Sequence, residues 1–218
     1  MSPNLVGRIP THVRKSPKFV GKSQNGSPLT RHRPIPLPEV SFPLGMPELL
    51  AARLIRDVPD FPKPGILFKD ITPVLEDHAA FKEVCDLLTA DAKARGAETI
   101  VGIESRGFIF GVPVALNLGL PFAMARKLGK LPYDKISEEY ALEYGTNVVE
   151  MHVDAIKPGQ RAYIVDDLLA TGGTAAAAAR LIERLDGKVC GFGCLIELSF
   201  LQGRENLLGY PITALMEF

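Results

Sequence analysis

The spacing of hydrophobic positions changes along the chain, and each change marks an element. Phe81, Val84, Cys85 and Leu88 recur at i, i+3, i+4 and i+7. That is one face of an amphipathic helix, predicted from about Asp77 to Arg95 and stopped by Gly96. Thr99–Ile103 reads as a buried strand, Phe108–Leu118 as a short helix ended by Gly119, and Pro121–Ala125 as another strand. Val148–Val153 alternates as a strand or hairpin arm does. Arg161–Val165 predicts a strand, Gly173–Leu185 an alanine-rich helix and Lys188–Glu197 a strand. Upstream, Pro47 and Glu48 open a predicted helix through Arg56, with Leu50, Leu54 and Ile55 on one side. Pro59, Pro62, Pro64 and Gly65 then predict an irregular loop.

Strands separated by helices imply an α/β fold, a mainly parallel sheet flanked by helices. Ligands of such sheets bind at the carboxyl ends of the strands. The segments after Ile103, Ala125 and Val165 are therefore the places to look for chemistry.

Composition narrows the class. With 25 Lys and Arg against 25 Asp and Glu in 218 residues, the chain lacks the basic excess of a dedicated nucleic-acid binder. Its apolar runs fall short of the roughly 18 residues that cross a bilayer. Three cysteines, Cys85, Cys190 and Cys194, are odd in number and show no CxxC spacing, which points to a reducing compartment rather than a disulfide framework or a zinc site. The neutral total hides an asymmetry. Residues 1–45 hold seven Lys or Arg and one acid, Glu39, and residues 1–47 hold nine of the 18 prolines. Without periodic apolar residues such a stretch does not offset its ordering entropy, and it is expected to be a disordered extension. A cytoplasmic protein with a solvated tail is one reading. An organelle transit peptide is the other, because the segment is basic and nearly free of acids.

The run after Val165 is the most informative. In Asp166-Asp167-Leu168-Leu169-Ala170-Thr171-Gly172-Gly173-Thr174, two carboxylates leave a strand, and small and hydroxyl residues lead into a helix. Such a turn aims backbone N–H groups and a helix N-terminus at an anion, with phosphate the natural guest. The adjacent acids would repel that phosphate and suit neighbouring hydroxyls, as on a ribose. The run is neither a Walker loop nor a G-x-G-x-x-G fingerprint. Glu104-Ser105-Arg106-Gly107 also links a strand to a helix and offers a second anion site. Arg126, Lys127 and Lys130 put three cations beside another strand end. Pro132–Gly145 is polar, acidic and long between two strands, and reads as a mobile lid. The histidines His12, His32, His78 and His152 show no metal-ligand spacing.

The Asp-Asp-x-x-x-Thr-Gly-Gly-Thr run resembles the 5-phosphoribosyl 1-pyrophosphate (PRPP) motif of type I phosphoribosyltransferases. Together with Phe61–Asp70, Glu104–Gly111, Arg126–Pro132 and Glu138–Gly145, it is similar to the adenine phosphoribosyltransferases from about Leu49 to the C-terminus. The resemblance implies transfer of the phosphoribosyl group from PRPP to adenine, giving AMP and pyrophosphate, in a homodimer. It implies Mg²⁺ carried on PRPP, with no metal ligands from protein side chains, and a small base-binding hood beside the sheet. Asp166 and Asp167 would hold the ribose hydroxyls, and Ala170, Thr171, Gly172, Gly173 and Thr174 the 5′-phosphate. Glu104, Ser105 and Arg106 would form the pyrophosphate loop, with a cis peptide at Glu104–Ser105. Arg126, Lys127 and Lys130 would neutralise pyrophosphate, Arg126 across a dimer interface. Phe68 would stack on the purine, Leu198 would cover its other face, and the backbone near Leu67 would read the base edge, with Lys69 beside it. Glu143 would move the proton. Tyr133-Asp134 departs from the Pro-Gly often found in the lid. A transferase for another purine and a PRPP-sensing regulator are the alternatives.

The tail reading has a direct check. A chain beginning at Gly45 is expected to match the full chain in activity and thermal midpoint; loss of either shows that the tail folds onto the domain. Organelle import of a fusion carrying residues 1–45 would overturn the cytoplasmic assignment.

Overall fold

The computed structural model describes residues 49–141 and 146–218. The expected disordered extension, its boundary at residue 46 and the start of the first predicted helix lie outside the described residues.

At the centre lies β3 (Thr99–Ile103), buried at all five positions, as befits a parallel strand covered on both faces. It pairs in parallel with β4 (Phe122–Lys127) on one side and β7 (Arg161–Leu169) on the other. Beyond β7 follow β8 (Lys188–Glu197) and β9 (Ile212–Glu217), both parallel. Beyond β4 the direction reverses: β6 (Thr146–His152) and then β5 (Lys135–Ala141) add antiparallel. The seven strands run β5-β6-β4-β3-β7-β8-β9.

Alternation along β7 sorts the core into two faces. Ala162 and Ile164 join the cluster under α4 (Gly173–Arg184), whereas Tyr163 and Val165 join the cluster under α2 (His78–Ala94) and α3 (Arg106–Leu118). Helix α2 follows its pattern. Ala80, Val84, Cys85 and Leu88 are buried, and the Asp77 carboxylate caps the first turn by accepting from the Ala80 N–H at 2.9 Å. Helix α4 packs by smallness: Ala175, Ala176, Ala177, Ala178 and Ala179 are all buried. Among the described residues no helix is long and apolar enough to cross a membrane.

Four expectations need correction. First, the predicted helix to Arg56 is, in its described part, a single 3-10 turn, Leu50–Arg53. β1 (Arg56–Pro59) follows it and pairs antiparallel with β2 (Leu67–Asp70). The proline loop is thus the tip of a two-stranded sheet, with a cis Phe61–Pro62 bond. Second, β7 continues to Leu169, so Asp166 and Asp167 sit on the strand and the turn starts at Ala170. Third, the stretch expected to be a lid loop contains β5, paired along its whole length from Lys135 opposite His152 to Ala141 opposite Thr146. Its charges hide the alternation: Lys135 and Glu138 meet partners on β6 and α4, while Glu139 is exposed. Fourth, β9 and the short α1 (Thr72–Glu76) were not anticipated.

The close fit of α4 is testable. Ala177 is fully buried against the sheet, and Ala177→Leu forces added methylenes into a filled space. It is expected to destabilise by about 1–3 kcal/mol, read as a lower denaturant midpoint at an unchanged slope.

Candidate active site

Three parallel strand ends deliver the candidate residues to one cleft. A cavity of about 190 Å³ is lined by Glu104, Ser105 and Arg106 after β3, Arg126 and Lys127 at the end of β4, and Asp166, Asp167 and Thr174 after or along β7. A second cavity of about 80 Å³ adjoins it, lined by Asp166 and by the run from Leu168 to Ala175.

The Glu104–Ser105 peptide is cis, as the resemblance implied. Helix α3 begins directly after it, and its first turn lies against the end of β7. A Cβ at Gly107 would collide with the Val165 carbonyl oxygen and crowd Asp166. That approach lets Arg106 Nε donate to Asp167 Oδ2 at 2.5 Å. Asp167 is buried, and Asp166 Oδ1 accepts from the Asp167 backbone N–H at 2.9 Å. Burial, reinforced by the charge of Asp167, pushes the Asp166 carboxyl well above its usual range. Burial alone would weaken the Arg106 charge, but the carboxylates of Asp167, Asp166 and Asp70 outweigh it and hold the guanidinium firmly protonated.

Glu104 faces the basic cluster. Arg126 donates to it from Nε at 3.2 Å and from a terminal nitrogen at 2.9 Å, and the Lys127 backbone N–H adds a bond of 3.0 Å. Hydrogen bonding from Arg126 lowers the Glu104 pKa. A carboxylate repels an anion, so Glu104 serves this cleft by fixing Arg126, which also donates to the Lys130 carbonyl at 2.9 Å. Lys130 contributes that backbone group and a charge that adds to the lowering of the Glu104 pKa.

The phosphate-type turn is shaped from behind. Gly172 has φ +77°, and a Cβ there would strike the Gly203 carbonyl oxygen; one on Gly203 would strike the Ala170 carbonyl oxygen. Asn206 Nδ2 donates to the Thr171 carbonyl at 2.7 Å. The first N–H groups of α4 have no side-chain cap and remain available to an anion. Thr174 Oγ1 donates to the Tyr140 hydroxyl at 2.9 Å.

The proposed base-binding residues divide. Phe68 packs edge-on against Phe61, with ring centroids 5.1 Å apart, and lies 5.8 Å from the Arg106 guanidinium carbon, which connects the hood to the cleft. Lys69 turns to Asp57 at 2.6 Å and lies 4.0 Å over the Phe218 ring. Leu67 is exposed, and Leu198 is tied by its backbone N–H to the Leu169 carbonyl at 2.9 Å. None of Leu67, Phe68, Lys69 or Leu198 lines the two cavities. Glu143 lies outside the described residues. Sequence reasoning missed Tyr140, Gly203 and Asn206. Only the pairing of β5 with β6 and the return of the chain after β8 bring them here, and no local signal marks either.

Residues 74–207 match the family model for the phosphoribosyl transferase domain. The adenine phosphoribosyltransferase of Roseiflexus sp. (strain RS-1) is 54% identical over 167 residues, 77% of this chain and 97% of that protein. The crystal structure of adenine phosphoribosyltransferase from Thermoanaerobacter pseudethanolicus superposes with a TM-score of 0.75 at 51% identity, over 77% of this chain and 98% of that one. The Saccharomyces cerevisiae enzyme, solved with an imino-altritol bisphosphate and adenine, gives 0.73 at 38% identity, over 76% and 96%. The order of the strands, the cis-linked loop at the end of β3 and relatives matched over nearly their whole length lead to one assignment: the chain belongs to the adenine phosphoribosyltransferase family.

Proposed function

We propose that the chain transfers the 5-phosphoribosyl group of PRPP to N9 of adenine, giving AMP and pyrophosphate in purine salvage. The observation that carries this reading is the meeting of two anion-ready loops across a carboxylate pair. The cis-linked Glu104–Arg106 loop stands on one side, the Ala170–Thr174 turn on the other, and Asp166 and Asp167 lie between them. That order matches a donor with pyrophosphate at one end, ribose in the middle and phosphate at the other.

In this reading the 5′-phosphate accepts from the N–H groups of the turn and from the hydroxyls of Thr171 and Thr174. Asp166 and Asp167 accept from the ribose hydroxyls. Arg106, Arg126, Lys127 and Lys130 oppose the charge of the departing pyrophosphate, which leaves C1 as N9 bonds to it with inversion. Preorganised cations are worth most where the anion develops. Glu104 keeps Arg126 aimed, and donor binding draws Arg106 from Asp167 toward the diphosphate. Phe68 and Leu198 enclose the purine. The N9 proton passes to the Glu143 carboxylate. Among the described residues no group of three or more His, Cys, Asp or Glu is gathered that could hold a metal ion. Mg²⁺ enters with PRPP, held by phosphate and ribose oxygens and by water, as this hard cation prefers.

The protein works as a cytoplasmic homodimer in this proposal. Support for the dimer comes from the exposed apolar side chains of Val112 and Leu116, one turn apart on α3, and of Met124 on β4.

Two measurements test the chemistry. Initial rates with PRPP, Mg²⁺ and each of adenine, hypoxanthine, guanine and xanthine are expected to show turnover of adenine alone. A mismatched base edge leaves buried polar groups unpaired, and comparable turnover of hypoxanthine would sink adenine specificity. Glu143→Gln keeps the shape of the side chain and removes the base. Its kcat is expected to fall by about 10²–10⁴ with little change in PRPP affinity, while Glu139→Gln stays nearly silent. Single-turnover rates within a few-fold of wild type would instead send the proton to water or a phosphate oxygen.

A further inference from the structure

Strand β5 is fastened to the helix that the phosphate turn opens. Glu138 accepts from Arg180 Nε at 2.5 Å and from an Arg184 terminal nitrogen at 3.0 Å. The same Arg184 nitrogen donates to the Ser137 carbonyl at 2.6 Å. An isolated surface ion pair contributes little. Here two arginines of one helix converge on one carboxylate and on the main chain beside it, which fixes the height of β5 along α4. Side chains two apart on a strand share a face, so Tyr140 is carried to α4 with Glu138 while Glu139 points away.

Tyr140, which lines the first cavity, then meets Thr174, which lines both. Two hydroxyls bonded to each other use one proton and leave the second to an outside acceptor. The pair is therefore a two-oxygen unit with one donor left over, at the mouth of the turn that the proposed function gives to the 5′-phosphate.

We propose that Tyr140 is a further binding residue for the donor's 5′-phosphate, its hydroxyl acting with that of Thr174, and that Glu138 is the positioning residue that seats it through Arg180 and Arg184. When the phosphate arrives, Thr174 turns its proton to one phosphate oxygen and Tyr140 donates to another. The two hydroxyls serve as a pair, and the sheet-edge strand becomes part of the phosphate site. This inference rests on the phosphate assignment made above and deepens it.

Calorimetric titration of the full chain with ribose 5-phosphate, and separately with pyrophosphate, tests it without adenine or turnover. Tyr140→Phe keeps the ring and is expected to weaken ribose 5-phosphate about tenfold, the usual worth of a hydrogen bond to a charged group, with pyrophosphate unchanged within twofold. Glu138→Gln should weaken ribose 5-phosphate by a smaller factor in the wild-type background and by none in the Tyr140→Phe background, because its effect runs through that hydroxyl. An equal loss in both backgrounds would make Glu138 merely structural and overturn its role. Ribose 5-phosphate affinity within twofold of wild type in Tyr140→Phe, or a loss confined to pyrophosphate, would overturn the role of Tyr140. Absence of AMP formation by the wild-type chain would instead sink the proposed function.

Discussion

The first turn of α3 lies directly against the end of β7, and a side chain at Gly107 would occupy the place of the Val165 carbonyl oxygen. The cleft depends on that approach. It brings Arg106 within hydrogen-bond reach of Asp167 and sets the loop after β3 beside the strand that carries both aspartates. Were the helix moved back by the width of a methyl group, the two anion-facing loops would no longer share one donor-sized space. The parallel order of β4, β3 and β7 supplies three strand ends side by side, and the missing Cβ draws two of them together.

Electrostatics in the cleft is arranged around exchange. Arg106 is matched to Asp167, and Arg126 to Glu104, so both arginines that would face pyrophosphate already have a carboxylate partner. Such pairing keeps charged groups oriented in a partly buried site at modest desolvation cost. A dianionic or trianionic guest competes for the same guanidinium protons. Asp166 differs: burial and the charge of its neighbour oppose its ionisation, and in the proposed function ribose hydroxyls would offer it the hydrogen-bond donors that favour the charged form.

Much of this was legible in the chain. The period of Phe81, Val84, Cys85 and Leu88 located α2, and the buried run of Thr99–Ile103 located the central strand. The Asp166–Thr174 and Glu104–Arg106 stretches marked both loops, because small and hydroxyl residues between a strand and a helix have few other uses. What escaped notice was structure stabilised from a distance. Lys135–Ala141 is polar because Arg180 and Arg184 cross to it from α4 and Glu150 receives Lys135, so its strand character is invisible locally. β1 and β2 are too short and too proline-bound to show alternation. Asp166 and Asp167 read locally as lying just beyond β7 because acids are poor strand formers, yet pairing with β8, Asp166 opposite Cys194 and Leu168 opposite Ile196, carries the strand through them. Lys69 could be numbered from the motif, but only the fold turns it to Asp57 and Phe218.

The contact between Gly172 and Gly203 has a consequence for the growing polypeptide. A chain synthesised as far as Leu185 already contains every residue of the Ala170–Thr174 turn and the helix behind it. The carbonyl against which Gly172 is fitted, and the Asn206 amide that holds Thr171, do not yet exist. Nor does β8, the neighbour that carries β7 past Asp167. On the ribosome the turn is therefore spelled out long before it acquires its shape. The shape that suits the turn to an anion arrives only when the segment after β8 closes over its back.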